Sequence, residues 1–249
     1  MIPIFILTCD RLTVLKKSIQ SYYDYIKTPF EIIIIDLGST YEPTRNFLEC
    51  LENKGIKLYW KERIFSKGDF NKPISEAIRD YFENHPKANY VVTDPDIALD
   101  NVEGDVLEVY AYLLERFPKM PHVGPIMRTD DLPDYFPKKE GIINWEGKLN
   151  SRRINSIQYK GKTIKFISSY LDSTFRMNRA RTQWRRAKRA LRVLPPYGSK
   201  HLDWYLDPKN LTEDHKYYME HASANISHSW GVHEYNQSQK GGLNGNRMV

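Results

Sequence analysis

The sequence predicts an α/β protein built on an open, mostly parallel sheet. Three observations carry this. Short apolar runs such as Ile4-Phe5-Ile6-Leu7 and the four isoleucines 32–35 read as strands buried on both faces, as parallel sheets require. Segments with helical apolar spacing alternate with those runs through the first hundred residues. Three of the runs end at a carboxylate, Asp10, Asp36 or Asp94, on the side where open α/β sheets place their ligands.

The elements follow in order. Ile4–Leu7 is the first strand, and Thr8-Cys9-Asp10-Arg11 leaves it as a loop. Leu12, Leu15, Ile19, Tyr22, Tyr23 and Ile26 mark a helix that stops at Thr28-Pro29. EIIIID is the second strand, residues 44–53 a second helix and IKLYW at 56–60 a third strand. Residues 70–83 form a helix with Pro73 in its first turn, and residues 88–93 a fourth strand. The second half is less regular. It predicts a helix over 105–117, a strand HVGPIM at 122–127 and a long surface excursion with a hairpin over 128–161. A strand, turn and strand follow within 163–177, then a polar helix at 211–221 and a last strand ANISHSW. The Gly- and Asn-rich tail from 237 reads as flexible.

Composition narrows the classes. The chain has 249 residues with 41% hydrophobic and 27% charged content, ordinary for a globular protein. Its two cysteines, Cys9 and Cys50, make neither a disulfide scaffold nor a zinc cluster, and a reducing compartment fits them best. The apolar run after Pro3 is too short for a secretory signal, and no stretch approaches the ~20 apolar residues of a membrane span. A cytoplasmic location, with peripheral membrane contact as an option, is the expectation. The formal charge of +6 is modest, and much of the basic excess lies in one stretch. No zinc finger, RNP-like motif, GxGxxG or GxxxxGK[ST] is present, so nucleic acid is not the expected partner.

YVVTDPDIAL, residues 90–99, sets Asp94 and Asp96 either side of Pro95. In extended backbone two such carboxylates share a face and repel unless a cation lies between them. Mg²⁺ or Mn²⁺ would suit, since hard cations take one or two carboxylates and leave room for phosphate oxygens. A strand-exit turn with solvated acids reads the same string, because Asp-x-Asp is common at strand ends.

ILTCDR, IIIIDLGST and VVTDPD occur in that order, and together they resemble the GT-A nucleotide-sugar glycosyltransferases of the family-2 type. The likeness spans residues 2–130 and continues more weakly through YLDSTFRM and NISHSW. It implies a three-layer sandwich in a single domain. Residues 1–127 would form the nucleotide-sugar half, 128–236 a smaller mixed acceptor half and 237–249 the tail. It implies hexosyl transfer from a nucleoside diphosphate sugar, UDP-linked by preference, to a hydroxyl of a glycan or lipid-linked saccharide. Thr8 and Arg11 would line the nucleotide pocket, Asp36 would meet the base, and Lys67, Asn71 and Lys72 would lie near the diphosphate. Asp94 would approach ribose and metal, Asp96 would bind the metal, and His228 would be a further metal or diphosphate contact. The family reads Asp-Gly-Ser after the second strand, whereas this chain has Asp36-Leu37-Gly38-Ser39.

An inverting transfer needs a general base for the acceptor hydroxyl. Asp203, between Leu202 and Trp204, is the first choice, because an aromatic surround raises a carboxyl pKa and the position resembles the family's base motif. Asp172 is the second, and a retaining mechanism would leave both in positioning roles. His201 orients the acceptor or holds its loop, and His85, His122 and His215 read as structural. Between Arg176 and Arg192 there are eight Arg or Lys, and Met177, Ala180, Trp184, Ala187, Leu191 and Leu194 recur at steps of three or four. Residues 176–194 therefore predict a basic amphipathic helix: a contact with an anionic membrane, a lid over phosphates, or an ordinary packed helix. The remaining function classes are a nucleic-acid protein using the acidic pair and this helix, and a non-catalytic carbohydrate-binding domain.

Overall fold

The computed structural model describes residues 1–63, 71–180, 182, 184, 185 and 188–221. Lys67, His228, the NISHSW segment and the tail from 237 lie outside the described residues. The first half alternates as the sequence predicts: β1 (Ile2–Thr8), α1 (Leu12–Tyr25), β2 (Phe30–Asp36), α2 (Glu42–Asn53), β3 (Lys57–Trp60), α3 (Asn71–Asn84) and β4 (Tyr90–Thr93). There follow β5 (Ile97–Ala98), α4 (Val106–Arg116), β6 (His122–Pro125), α5 (Lys139–Asn150), β7 (Asn155–Tyr159) and β8 (Lys162–Leu171). The described chain ends with β9 (Arg176–Asn178), β10 (Lys188–Val193), β11 (Lys200–His201), a 3-10 turn Leu202–Tyr205 and α6 (Glu213–His221).

Nine strands form one sheet in the order β3-β2-β1-β4-β9-β6-β10-β8-β7, and β5 pairs with β11 in a separate small sheet. The first four run parallel, as short crossover connections require. Beyond them β9 is antiparallel to β4 and β6, β10 is parallel to β6, and β8 and β7 are antiparallel. Alternate residues of the isoleucine run serve different cores. Ile32 and Ile34 join Ile4, Ile6, Leu15, Leu48 and Val109 on the side of α1, α2 and α4. Ile33 and Ile35 join Phe5, Leu7, Ile74, Ile78 and Tyr81 on the side of α3. A strand buried on both faces cannot alternate apolar with polar, which is why the run is continuous. This is the three-layer α/β sandwich that the sequence predicts.

Two expectations are corrected. Residues 128–161 hold the helix α5 as well as the strand β7, which pairs with β8. Gly141 and Gly147 lower the helical propensity there and obscure a helix whose buried positions, Ile142 and Glu146, are one turn apart. The described residues of 176–194 do not form an amphipathic helix: β9 and β10 are strands of the main sheet. The apolar residues that suggested a stripe face different cores, Met177 and Leu191 the α1 side and Trp184 the α3 side. Arg176 and Arg192 are buried rather than facing solvent, and Arg192 pairs with Glu146 of α5 at 2.6 Å. The described residues therefore do not form the basic amphipathic helix on which the membrane and nucleic-acid readings drew. No helix among the described residues is long and apolar enough to cross a membrane.

Candidate functional site

The register Thr8↔Asp36 and Ile6↔Thr93 brings the carboxyl ends of β1, β2 and β4 side by side. The acids beyond them have different duties. Asp10, at φ 54°, accepts the N–H groups of Thr40 (2.7 Å) and Tyr41 (2.8 Å) and pairs with Arg63 at 3.0 Å. Asp36 accepts the Gly38 and Ser39 N–H groups at 3.2 and 2.9 Å and the Ser39 hydroxyl, so its carboxylate closes its own turn. Burial raises its pKa against those bonds. Thr8 is buried with an unpartnered hydroxyl.

Asp94 and Asp96 take different directions. Asp94 accepts from the Ser173 hydroxyl at 2.8 Å, and its own N–H donates to the Ser173 carbonyl at 2.8 Å, so it is bound to the β8–β9 turn. Asp172, partly exposed just beyond β8, accepts the Ser173 N–H at 2.9 Å and so stands beside Asp94's anchor. Asn71 opens α3.

Asp96 points elsewhere because of the small sheet. The β5–β11 pairing sets His201 against Ile97, and the Leu202 N–H donates to the Asp96 carbonyl at 2.7 Å. From α1, the Tyr22 hydroxyl donates to the Ile97 carbonyl at 2.7 Å and Ser21 Oγ accepts the Leu99 N–H at 3.0 Å, fixing β5 from below. Ligand atoms of Asp96, His201 and Asp203 consequently lie within 4.8 Å of one another. Arg11 enters the same cluster. It donates to Asp203, lies 3.7 Å from Asp96 Oδ2 and sits over the Tyr218 ring at 4.5 Å. Asp214 of α6 holds that helix in place by accepting the Thr13 N–H and hydroxyl at 2.8 and 2.7 Å in the first turn of α1. His201 stacks on Trp204 with ring centroids 4.8 Å apart.

The electrostatics corrects the expectation for Asp203. Burial pushes its pKa up, but Arg11, helped by His201 and His215, outweighs burial and holds it at about 2. Asp96 shifts the other way: burial raises it, and Asp203 adds to the rise against His201 and Arg11. Burial opposes Arg11's charge, yet Asp203 and Asp96 move its pKa further above the ordinary arginine range. Burial and Arg11 lower His215 to about 4.

This cluster suits a divalent cation. Asp96 Oδ1 and His201 Nδ1 are buried without a hydrogen-bond partner, as ligand atoms awaiting a charge would be. Two carboxylates and an imidazole make a donor set for a first-row divalent ion, and the imidazole moves the preference from Mg²⁺ toward Mn²⁺. His201 and the whole of α6 were not singled out as ligand and cover by sequence. The signal was His201-Leu202-Asp203, which repeats the two-residue spacing of Asp94-Pro95-Asp96.

No protein-family model matches the chain, and no curated protein matches it. Among solved structures, the mannosyltransferase PcManGT from Pyrobaculum calidifontis, in complex with GDP-Man and Mn²⁺, is 17% identical over 52% of this chain, with a TM-score of 0.38. The match covers 36% of that protein's length. S. aureus TarS 1–349 is 14% identical over 96% of this chain and 78% of its own, with a TM-score of 0.46. GalNAc-T7 with UDP, GalNAc and Mn²⁺ is 18% identical over 50% of this chain and 22% of its own, with a TM-score of 0.37. All three are distant likenesses, and none defines a family for this chain.

Proposed function

We propose that the chain is a divalent-cation-dependent glycosyltransferase that moves a hexosyl unit from a nucleoside diphosphate sugar, UDP-linked by preference, to a hydroxyl of a glycan or lipid-linked saccharide. The observation that carries this is the buried group Asp96, His201 and Asp203, with two ligand atoms unpartnered, at the rim where β1, β2 and β4 end. A cation bound there would hold the diphosphate and offset the charge of the leaving group. Asp94 follows the last residue of β4, Thr8 ends β1 and Asn71 opens α3.

The base assignment moves from Asp203 to Asp172. A base works best with a pKa near the operating pH, whereas Asp203 is held at about 2 and bonded to Arg11. Asp172 is partly exposed, close to Asp94's anchor on Ser173. In an inverting transfer Asp172 takes the acceptor's hydroxyl proton, the acceptor oxygen bonds to the anomeric carbon, and the bond from that carbon to the phosphate oxygen breaks. The test is donor hydrolysis and transfer over a panel of UDP-, GDP- and dTDP-sugars with Mn²⁺. One donor is expected to react, with Asp96→Asn lowering kcat/KM on the order of a hundredfold and Asp172→Asn lowering kcat without weakening nucleotide binding. Turnover indifferent to EDTA and to Asp96→Asn, or no reaction with any donor, would refute the proposal.

A further inference from the structure

We infer that Arg11 is a built-in counter-cation for the metal site, so that its guanidinium and a divalent ion are alternative occupants of the Asp96–His201–Asp203 cluster. The inference rests on the reading of that cluster as a cation site. Arg11 is 4% exposed, bonded to Asp203 and 3.7 Å from Asp96, and its Nε has no partner. Tyr218, His215 and Asp214 of α6 also interact electrostatically with Arg11, and the Asp214 carboxylate is already engaged by the Thr13 N–H and hydroxyl. Two buried carboxylates and one guanidinium sum to one negative charge. Adding a divalent ion with Arg11 in place would set two cations among the same carboxylate oxygens in a desolvated site, which is costly at low dielectric.

Removing one and admitting the other resolves the conflict. With no ion, Arg11 keeps two acids from repelling each other and lets the protein fold. When an ion takes the carboxylates, the guanidinium must give up Asp203, and the Tyr218 ring, which it already covers at 4.5 Å, remains as a cation–π partner. The site thereby acquires a threshold: an ion binds only by displacing a resident charge, and a diphosphate arriving with the ion supplies the negative charge that a released guanidinium can pair with.

The experiment titrates Mn²⁺ alone, without nucleotide, into the wild-type chain and into Arg11→Met by calorimetry, with thermal unfolding in EDTA and in Mn²⁺ as a second readout. Arg11→Met is expected to bind Mn²⁺ at least about tenfold more tightly, to be less stable than wild type in EDTA and to gain more from Mn²⁺ than wild type does. Adding Asp96→Asn to Arg11→Met is expected to remove that gain. Arg11→Gln, which keeps a donor for Asp203 but no charge, is expected to behave like Arg11→Met. Equal or weaker Mn²⁺ binding in both variants would overturn the inference, as would variants that stay unfolded at saturating Mn²⁺. A parallel UDP titration separates the two ideas. Mn²⁺-dependent UDP binding with unchanged Mn²⁺ affinity in the variants refutes only the competition. Tighter Mn²⁺ binding without any nucleotide binding refutes only the glycosyltransferase reading.

Discussion

Asp96 and Asp203 share one buried cluster and shift in opposite directions because Arg11 is bonded to one and 3.7 Å from the other. Asp203's folded pKa of about 2 lies below the unfolded carboxylate value, so its contribution to stability is present above roughly pH 4 and is lost as pH falls through about 2. Urea unfolding between pH 4 and 2 should therefore show a steeper loss for wild type than for Asp203→Asn. Asp96 carries the opposite sign: its raised pKa costs stability as pH rises past the ordinary carboxylate range. In EDTA at neutral pH, Asp96→Asn is expected to be at least as stable as wild type, although it loses the cation; a lower urea midpoint would contradict this. Gly38 is a separate residue-scale constraint. Its φ is +89°, and a Cβ there would lie 2.4 Å from the Arg63 nitrogen, so Gly38→Ala should cost on the order of 2 kcal/mol or more in urea unfolding.

At the scale of elements, the first four strands and three helices were legible because each is a short periodic unit with its own stop. Thr28-Pro29 closes α1, and the uninterrupted Ile32–Ile35 admits only a doubly buried strand. β10 was not legible. Arg192 is 1% exposed within it, and a buried arginine is readable only once Glu146, 46 residues earlier, is known to meet it. Without α5 in view, the same residues counted as a solvated basic face. This pair gives a sharp expectation. Glu146→Ala leaves a buried guanidinium without its carboxylate and should cost about 3–5 kcal/mol, whereas Glu146→Leu with Arg192→Met should recover most of the loss. Denaturant unfolding of the three proteins measures it. The α1–α6 contact is smaller: Asp214→Ala removes two hydrogen bonds from α1's first turn and should cost about 1 kcal/mol.

Across the whole molecule, one of the three residues of the candidate cation site could be placed from the sequence. An acid at the end of a buried parallel strand lies at the ligand rim of such a sheet by topology alone, and Asp96 follows from VVTDPD. His201 and Asp203 could not be placed, because they reach Asp96 through the pairing of two strands of two residues each, too short to carry any periodicity. Asp36 was legible as a strand-end acid, but the bonds closing its turn depend on where Gly38 and Ser39 fold back.

Calorimetric titration of UDP, with saturating Mn²⁺ and with EDTA, into wild type and Asp96→Asn bears most directly on the central claim. The cluster of Asp96, His201 and Asp203 predicts binding by wild type with Mn²⁺ and none in the other three combinations. UDP bound equally well in EDTA, or by Asp96→Asn, would contradict it.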